Sequence, residues 1–257
     1  MHINRPIVLV HGLIGTLQVP DLTPHLGTGK VLAPDLLGYG TLRDAPPSEV
    51  HISAQVAHLR AILAAHFGDE AVNLVGHSTG GAVAALFAHA HPDRVHNLVS
   101  VEGNFTLNDA FWSASVARMS GDEATRMLDG FRQDPKAWLG LSGISGEPRH
   151  LAIATHWLQQ QPASTLRAMA QSIVAVTGAP AYAQSLRAVF ARHPVHLVAG
   201  ARSRDGWDVP SWALQQAASL TVIPDTGHLM MIEQPAAFAA TLRATQAASS
   251  APGTITY

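Results

Sequence analysis

Ser78 has the surroundings that serine chemistry requires. It lies in Gly76-His77-Ser78-Thr79-Gly80-Gly81, after the apolar run Ala71-Val72-Asn73-Leu74-Val75 and before Ala82-Val83-Ala84-Ala85-Leu86-Phe87. A G-x-S-x-G turn between a strand and a helix forces the serine into a strained backbone conformation and lifts its hydroxyl clear of the sheet. The flanking glycines let strand and helix approach. A serine hydroxyl is a weak nucleophile at neutral pH and needs a base beside it. Two further segments end strand-like runs in histidine: Ile7-Val8-Leu9-Val10-His11-Gly12 near the N-terminus and Ile223-Pro224-Asp225-Thr226-Gly227-His228 near the C-terminus. Their order along the chain is a loop that could hold an oxyanion, then a serine, then a histidine.

At these residues the chain resembles the α/β-hydrolase superfamily. The resemblance runs through Val8-Leu9-Val10-His11-Gly12, Leu32-Ala33-Pro34-Asp35-Leu36-Leu37-Gly38-Tyr39-Gly40, the serine turn, His91-Pro92-Asp93-Arg94-Val95 and Gly227-His228. It covers about residues 6–110 and 193–245. It implies an α/β fold, with a mostly parallel central sheet flanked by helices and an inserted helical cap. It also implies Ser78 as nucleophile and His228 as general base. The backbone N–H groups of Leu13 and Thr79 would form the oxyanion hole, and the ring of His11 would support the first loop.

The third member of the triad departs from the superfamily's commonest pattern, an aspartate three residues after the glycine that follows the next-to-last strand. Here that strand is Val195-His196-Leu197-Val198-Ala199, the glycine is Gly200, and the aspartate position holds Ser203. Asp205 could serve if the loop bulges, and Asp208 is a more remote choice. Glu102, at the end of Leu98-Val99-Ser100-Val101, is the other candidate. Haloalkane dehalogenase-like proteins and zearalenone lactonases carry their acid on this earlier strand. A buried glutamate beside apolar residues and a glycine needs a partner, because an unpaired buried carboxylate is costly. Glu102 and Asp205 therefore both stand as candidates, with an incomplete triad as the remaining possibility.

These residues need elements to position them. Strands are expected at 6–10, 30–33, 71–75, 95–101, 194–199 and 219–223, alternating with helices as in a doubly covered parallel sheet. Ile52, Val56, Leu59 and Leu63 repeat at helical spacing and predict an amphipathic crossover helix. The expected division is a core of 1–103 and 191–247, a helical cap over 104–190 and a flexible tail over 248–257. The cap would lie over the carboxyl ends of the strands, where open α/β sheets bind ligands. Phe105, Phe111, Trp112, Trp138 and Trp157 of the cap are the expected substrate contacts, together with Gly12, His77 and Leu229.

Composition sets the outer bounds. Of 257 residues, 47% are hydrophobic and 13% charged, which suits one domain with a large core and a cap. A formal charge of −2 with no run of like charges gives no reason to expect nucleic acid or an anionic membrane as partner. The absence of cysteine excludes disulfides and thiolate chemistry. The remaining histidines lie outside metal-ligand spacing, and His89-Ala90-His91 before Pro92 is the nearest approach to a metal pair. No metal or cofactor is expected. No signal segment or bilayer-length apolar run is seen, so a cytoplasmic protein is the expectation, as monomer or homodimer.

The function this reading supports is a serine hydrolase of esters, lactones or thioesters with an apolar portion, acting through an acyl-enzyme. A carbon-carbon bond hydrolase of the meta-cleavage-product kind is the alternative, and a small-molecule receptor on the same fold is a third.

Overall fold

The computed structural model describes residues 5–27 and 29–248; the expected tail beyond 248 lies outside them. Six strands form one sheet: β1 (Ile7–Val10), β2 (Val31–Leu32), β3 (Val72–His77), β4 (Val95–Val101), β5 (Val195–Gly200) and β6 (Ser219–Ile223). Every pairing is parallel, and the spatial order is β2-β1-β3-β4-β5-β6. Parallel strands covered on both faces are apolar throughout rather than alternating. β1 follows that rule throughout, and β3 and β5 follow it except at Asn73, His77 and His196; all the residues of the three strands are buried.

The crossover helices are α1 (Ile52–Phe67) and α2 (Thr79–Ala90). His51 caps α1 by accepting the N–H of Ala54. The buried face of α1 is Ile52, Gln55, Leu59 and Leu63. Gln55 replaces the expected Val56 because its amide donates to the Leu37 carbonyl and accepts the Leu37 N–H, which satisfies a buried polar group in place.

Between β4 and β5 run α3 (Phe111–Arg118), α4 (Gly121–Gln133), α5 (Pro135–Leu141), α6 (Pro148–Leu158), α7 (Ala163–Thr177) and α8 (Pro180–Arg192). α4 opens with a capping box in which Ser120 and Glu123 satisfy each other's backbone N–H. α3, α4 and α7 pack together, and so do α5 and α6. α8 instead packs on α2 and on α9 (Ser211–Gln216). α8 also touches α7, and it returns the chain to β5. The chain finishes with α10 (Met230–Glu233) and α11 (Pro235–Ala248).

The topology fixes where a ligand can sit. From β1 the chain moves outward to β2 and then back to β3 on the other side, so the direction of winding reverses between β1 and β3. Ligands of open α/β sheets bind outside the carboxyl ends of the strands at such a reversal. In register, Val10 faces Gly76, His77 faces Val101 and Val101 faces Val198. His11, Ser78 and Glu102 thus leave the sheet along one edge, where β5 ends at Gly200.

Candidate active site

Ser78 occupies the turn between β3 and α2 at φ 55°, ψ −125°. A non-glycine residue at positive φ is strained and persists only where its surroundings impose it. Here they do so by close backbone approach. A Cβ on Gly76 would lie 2.5 Å from the Gly80 carbonyl oxygen, and one on Gly80 would lie 2.3 Å from that of His11. The Ser78 N–H is also tied to the Val101 carbonyl at 3.0 Å.

Glu102 follows β4 and also adopts positive φ, 42°. Its side chain is buried, and both carboxylate oxygens are used. Oε2 accepts from Nδ1 of His228 at 2.6 Å; Oε1 accepts from the Gly200 N–H at 2.8 Å and from Oγ of Ser203 at 2.5 Å. Burial alone would raise this carboxyl. The hydrogen bonds from His228, Ser203 and Gly200 together outweigh it and hold the group below the ordinary glutamate value. An ionised Glu102 leaves Nδ1 of His228 as the protonated nitrogen, so a neutral ring has Nε2 free to take a proton.

Asp205 does not reach this site. The loop after β5 winds into a single 3₁₀ turn over Arg204–Gly206 that leaves Asp205 exposed, while Ser203 faces inward on Glu102. Asp208 is exposed too and accepts from Thr106 and Asn108.

His228 lies between β6 and α10, on a loop held at several points. Gly227 donates its N–H to Glu233, Arg202 pairs with Glu233, and Arg202 donates to the Asp225 carbonyl at 2.6 Å. His77 adds a link that the sequence did not suggest, since it was expected to contact substrate only. Its Nε2 lies 3.0 Å from the His228 carbonyl oxygen. A carbonyl can only accept, so Nε2 carries the proton and Nδ1 does not. Burial, and then the neighbouring His228, hold His77 well below the ordinary histidine value, so the ring is neutral.

The first loop is built in the same way. His11 donates from Nδ1 to the Gly12 carbonyl at 2.9 Å and accepts the Leu36 N–H on Nε2. Burial pushes its value down to about 4. Its ring packs edge-on against Tyr39, whose hydroxyl donates to the Leu13 carbonyl at 3.0 Å. The neutral His11 thus braces the segment that carries Leu13. Thr79 opens α2, where first-turn N–H groups have no partner within the helix.

A cavity of about 610 Å³ joins these pieces. Ser78, Glu102 and His228 line it, as do His77, Leu13, Leu229, Phe111, Trp112 and Trp138 from the expected set. Three expected contacts do not. Phe105 is buried against Phe190 and Trp207. Trp157 is buried beside Gly15, filling the space a Cβ there would need. Gly12 lies against the serine turn, where a Cβ would come within 3.0 Å of that of Ser78. Asn104, Asp109, Ser113, Ser142, Arg202, Ser203 and Trp207 line the cavity without having been expected. All but Ser113, which lies on α3, come from loops that carry no periodic signal. Asp109 accepts the Phe105 N–H at 2.8 Å, and burial raises its carboxyl to about 6. Among the described residues no group of three or more histidine, aspartate or glutamate side chains could hold a metal ion, and no helix is long and apolar enough to cross a membrane.

Comparison with known proteins agrees with this fold. The sequence profile of the alpha/beta hydrolase family matches residues 7–241. The 2-hydroxy-6-oxo-2,4-heptadienoate hydrolase of Pseudomonas putida is 30% identical over 252 residues, 91% of this chain and 86% of that one. The pimeloyl-[acyl-carrier protein] methyl ester esterase of Aeromonas hydrophila is 30% identical over 173 residues, covering 63% of this chain and 64% of the esterase. Among solved structures, a carboxylesterase of Nitrososphaera gargenis superposes with a TM-score of 0.73 at 17% identity, over 97% of this chain and 92% of that one. From the match over nearly its whole length and from the sheet just described, the chain belongs to the alpha/beta hydrolase family of enzymes.

Proposed function

We propose that the chain is a serine hydrolase that cleaves an ester, lactone or thioester with an apolar portion through an acyl-enzyme. The observation that carries this reading is the 2.6 Å hydrogen bond between Glu102 and Nδ1 of His228, in a cavity that also holds the strained Ser78. With Nδ1 committed to Glu102, Nε2 of His228 takes the Ser78 proton as Oγ attacks the carbonyl carbon. The N–H groups of Leu13 and Thr79 receive the oxyanion. His228 then passes the proton to the leaving oxygen or sulfur, and the acyl group stays on Ser78. In the second half His228 deprotonates a water, which attacks the acyl carbonyl, and Ser78 leaves with the proton restored. Glu102 stays ionised and holds the imidazole in the tautomer each step needs. Aromatic and aliphatic lining from Leu13, Phe111, Trp112, Trp138 and Leu229 suits an apolar acyl or alkyl group.

The alternative reading rests on the Pseudomonas putida relative. The compound in that enzyme's name has no ester, so its hydrolysis requires cleavage of a carbon-carbon bond beside the ketone. The same serine and histidine could serve that reaction. A p-nitrophenyl ester series from acetate to dodecanoate, assayed beside 2-hydroxy-6-oxo-2,4-heptadienoate, separates the two. Ester turnover that falls to background in Ser78→Ala is the expected result. Turnover of the dienoate alone would favour the carbon-carbon hydrolase, and tight binding with no turnover of either would favour a receptor.

A further inference from the structure

We propose that Ser203 is a positioning residue of the site, whose hydroxyl fixes the rotation of the Glu102 carboxylate so that one oxygen is always presented to His228. The inference rests on the reading of Glu102 and His228 as partners in catalysis, and it adds a fourth side chain to them. Its basis is the division of labour between the two carboxylate oxygens. Among the described residues Oε2 accepts from the imidazole alone, at 2.6 Å, whereas Oε1 is held by two donors from the end of β5 and the loop after it, the Gly200 N–H at 2.8 Å and the Ser203 hydroxyl at 2.5 Å.

A carboxylate with one donor per side can turn about its terminal bond, since that torsion is broad. Two donors converging on one oxygen remove the freedom. Gly200 alone could not do so, because its N–H approaches from one direction only. The geometry also makes the serine specific to this arrangement. Ser203 donates its hydroxyl proton to Glu102, and its own N–H is tied to the Gly200 carbonyl at 3.2 Å, so the loop holds the hydroxyl in place. The other charged group nearby does not compete for Glu102: Arg202 is paired with Glu233 and the Asp225 carbonyl. His77, the other ring beside His228, is neutral and donates to the His228 backbone.

The test is Ser203→Ala beside Ser203→Thr, each alone and in a Glu102→Ala background. In the otherwise intact enzyme Ser203→Ala is expected to lower kcat roughly tenfold, the weight of one hydrogen bond to a charged group, with KM unchanged. Ser203→Thr, which keeps the hydroxyl, is expected to retain most of the rate. In the Glu102→Ala background the alanine at 203 is expected to cost nothing further. A loss that adds in full to that of Glu102→Ala would overturn the proposal, as would equal losses in the alanine and threonine variants.

A second readout needs no substrate. The proton between His228 and Glu102 is expected to give a far-downfield ¹H NMR signal, to be assigned by its disappearance in His228→Ala. Ser203→Ala is expected to move it further downfield, because a carboxylate relieved of one donor accepts more strongly on its other side; Ser203→Thr should leave it in place. An unmoved signal in Ser203→Ala refutes the role of Ser203. Absence of ester turnover with a signal that moves as expected would instead refute the ester reading and leave the positioning role standing.

Discussion

Replacing Glu102 with glutamine preserves the shape of the side chain but removes the charge that holds Nδ1 of His228 protonated, so the ring can adopt the wrong tautomer. Under the proposed mechanism Glu102→Gln is expected to lower kcat about 10⁴-fold while Ser78 and the oxyanion donors sustain a residue of activity. Asp205→Asn, on the exposed turn, is expected to stay within about twofold of wild type. Steady-state kinetics on one ester decide between them, and a large loss in Asp205→Asn would shift the assignment to that residue. Sequence alone offered both carboxylates. What it could not supply was the direction in which the loop after β5 turns: one 3₁₀ turn separates an inward Ser203 from an outward Asp205. His77 was hidden for a related reason, since its partner is a backbone carbonyl 151 positions away.

The elements were easier to read. β1 and β5 begin one residue later than predicted, and β5 ends one later; β4 and β6 match. Strands buried on both faces are uniformly apolar and bounded by turn residues, which leaves little room for another reading. β3 was predicted to stop at Val75 but runs on through Gly76 and His77, because the register with β4 continues to the edge of the serine turn. The helical insertion was legible as helices, although not in which side chains would face the cavity. Phe105 and Trp157 have the same chemistry as Phe111 and Trp138, and only packing distinguishes them. At the mouth, the first residue of α3 and the last of α5 face outward: Phe111 is 68% exposed and Leu141 72% exposed, yet both line the cavity. Side chains so exposed contribute little to the core but can cover an apolar arm that extends beyond it. The double variant Phe111→Ser, Leu141→Ser is therefore expected to lower kcat/KM for dodecanoate at least tenfold relative to acetate, two exposed apolar contacts of about 1 kcal/mol each, with the melting temperature within about 2 °C of wild type. Parallel losses on both esters would show that the rim does not select chain length.

For the molecule as a whole, the histidines buried without charge link stability to pH. His11 and His196 are both lowered by burial to about 4, against 6.5 for an exposed ring. Between those values the unfolded chain binds protons that the folded one does not, so stability falls as pH drops from about 6.5 to about 4 and then levels off. For His11 the loss is about 3 kcal/mol. Asp109 acts in the opposite sense, since its carboxyl is raised to about 6 and the folded state takes its proton first on acidification. With His77 lowered as well, the buried histidines outweigh the one raised carboxyl, so chemical denaturation is expected to give lower stability at pH 5 than at pH 7, and His11→Asn is expected to reduce the difference. An unchanged difference would mean that His11 is reached by protons in the folded state. The parallel order β2-β1-β3-β4-β5-β6 has a further consequence, which concerns time. Glu102 and His228 are 126 positions apart, and β5 must be laid beside β4, and β6 beside β5, before they meet. At ribosomal speeds of about 5–20 residues per second, roughly 6 to 25 s pass between the synthesis of the acid and that of its histidine. Through that interval the nascent chain carries a carboxylate with no imidazole beside it and a strand edge with no neighbour, so under the proposed mechanism early release or a stalled ribosome is expected to yield a product that is inactive and prone to associate through its open edge.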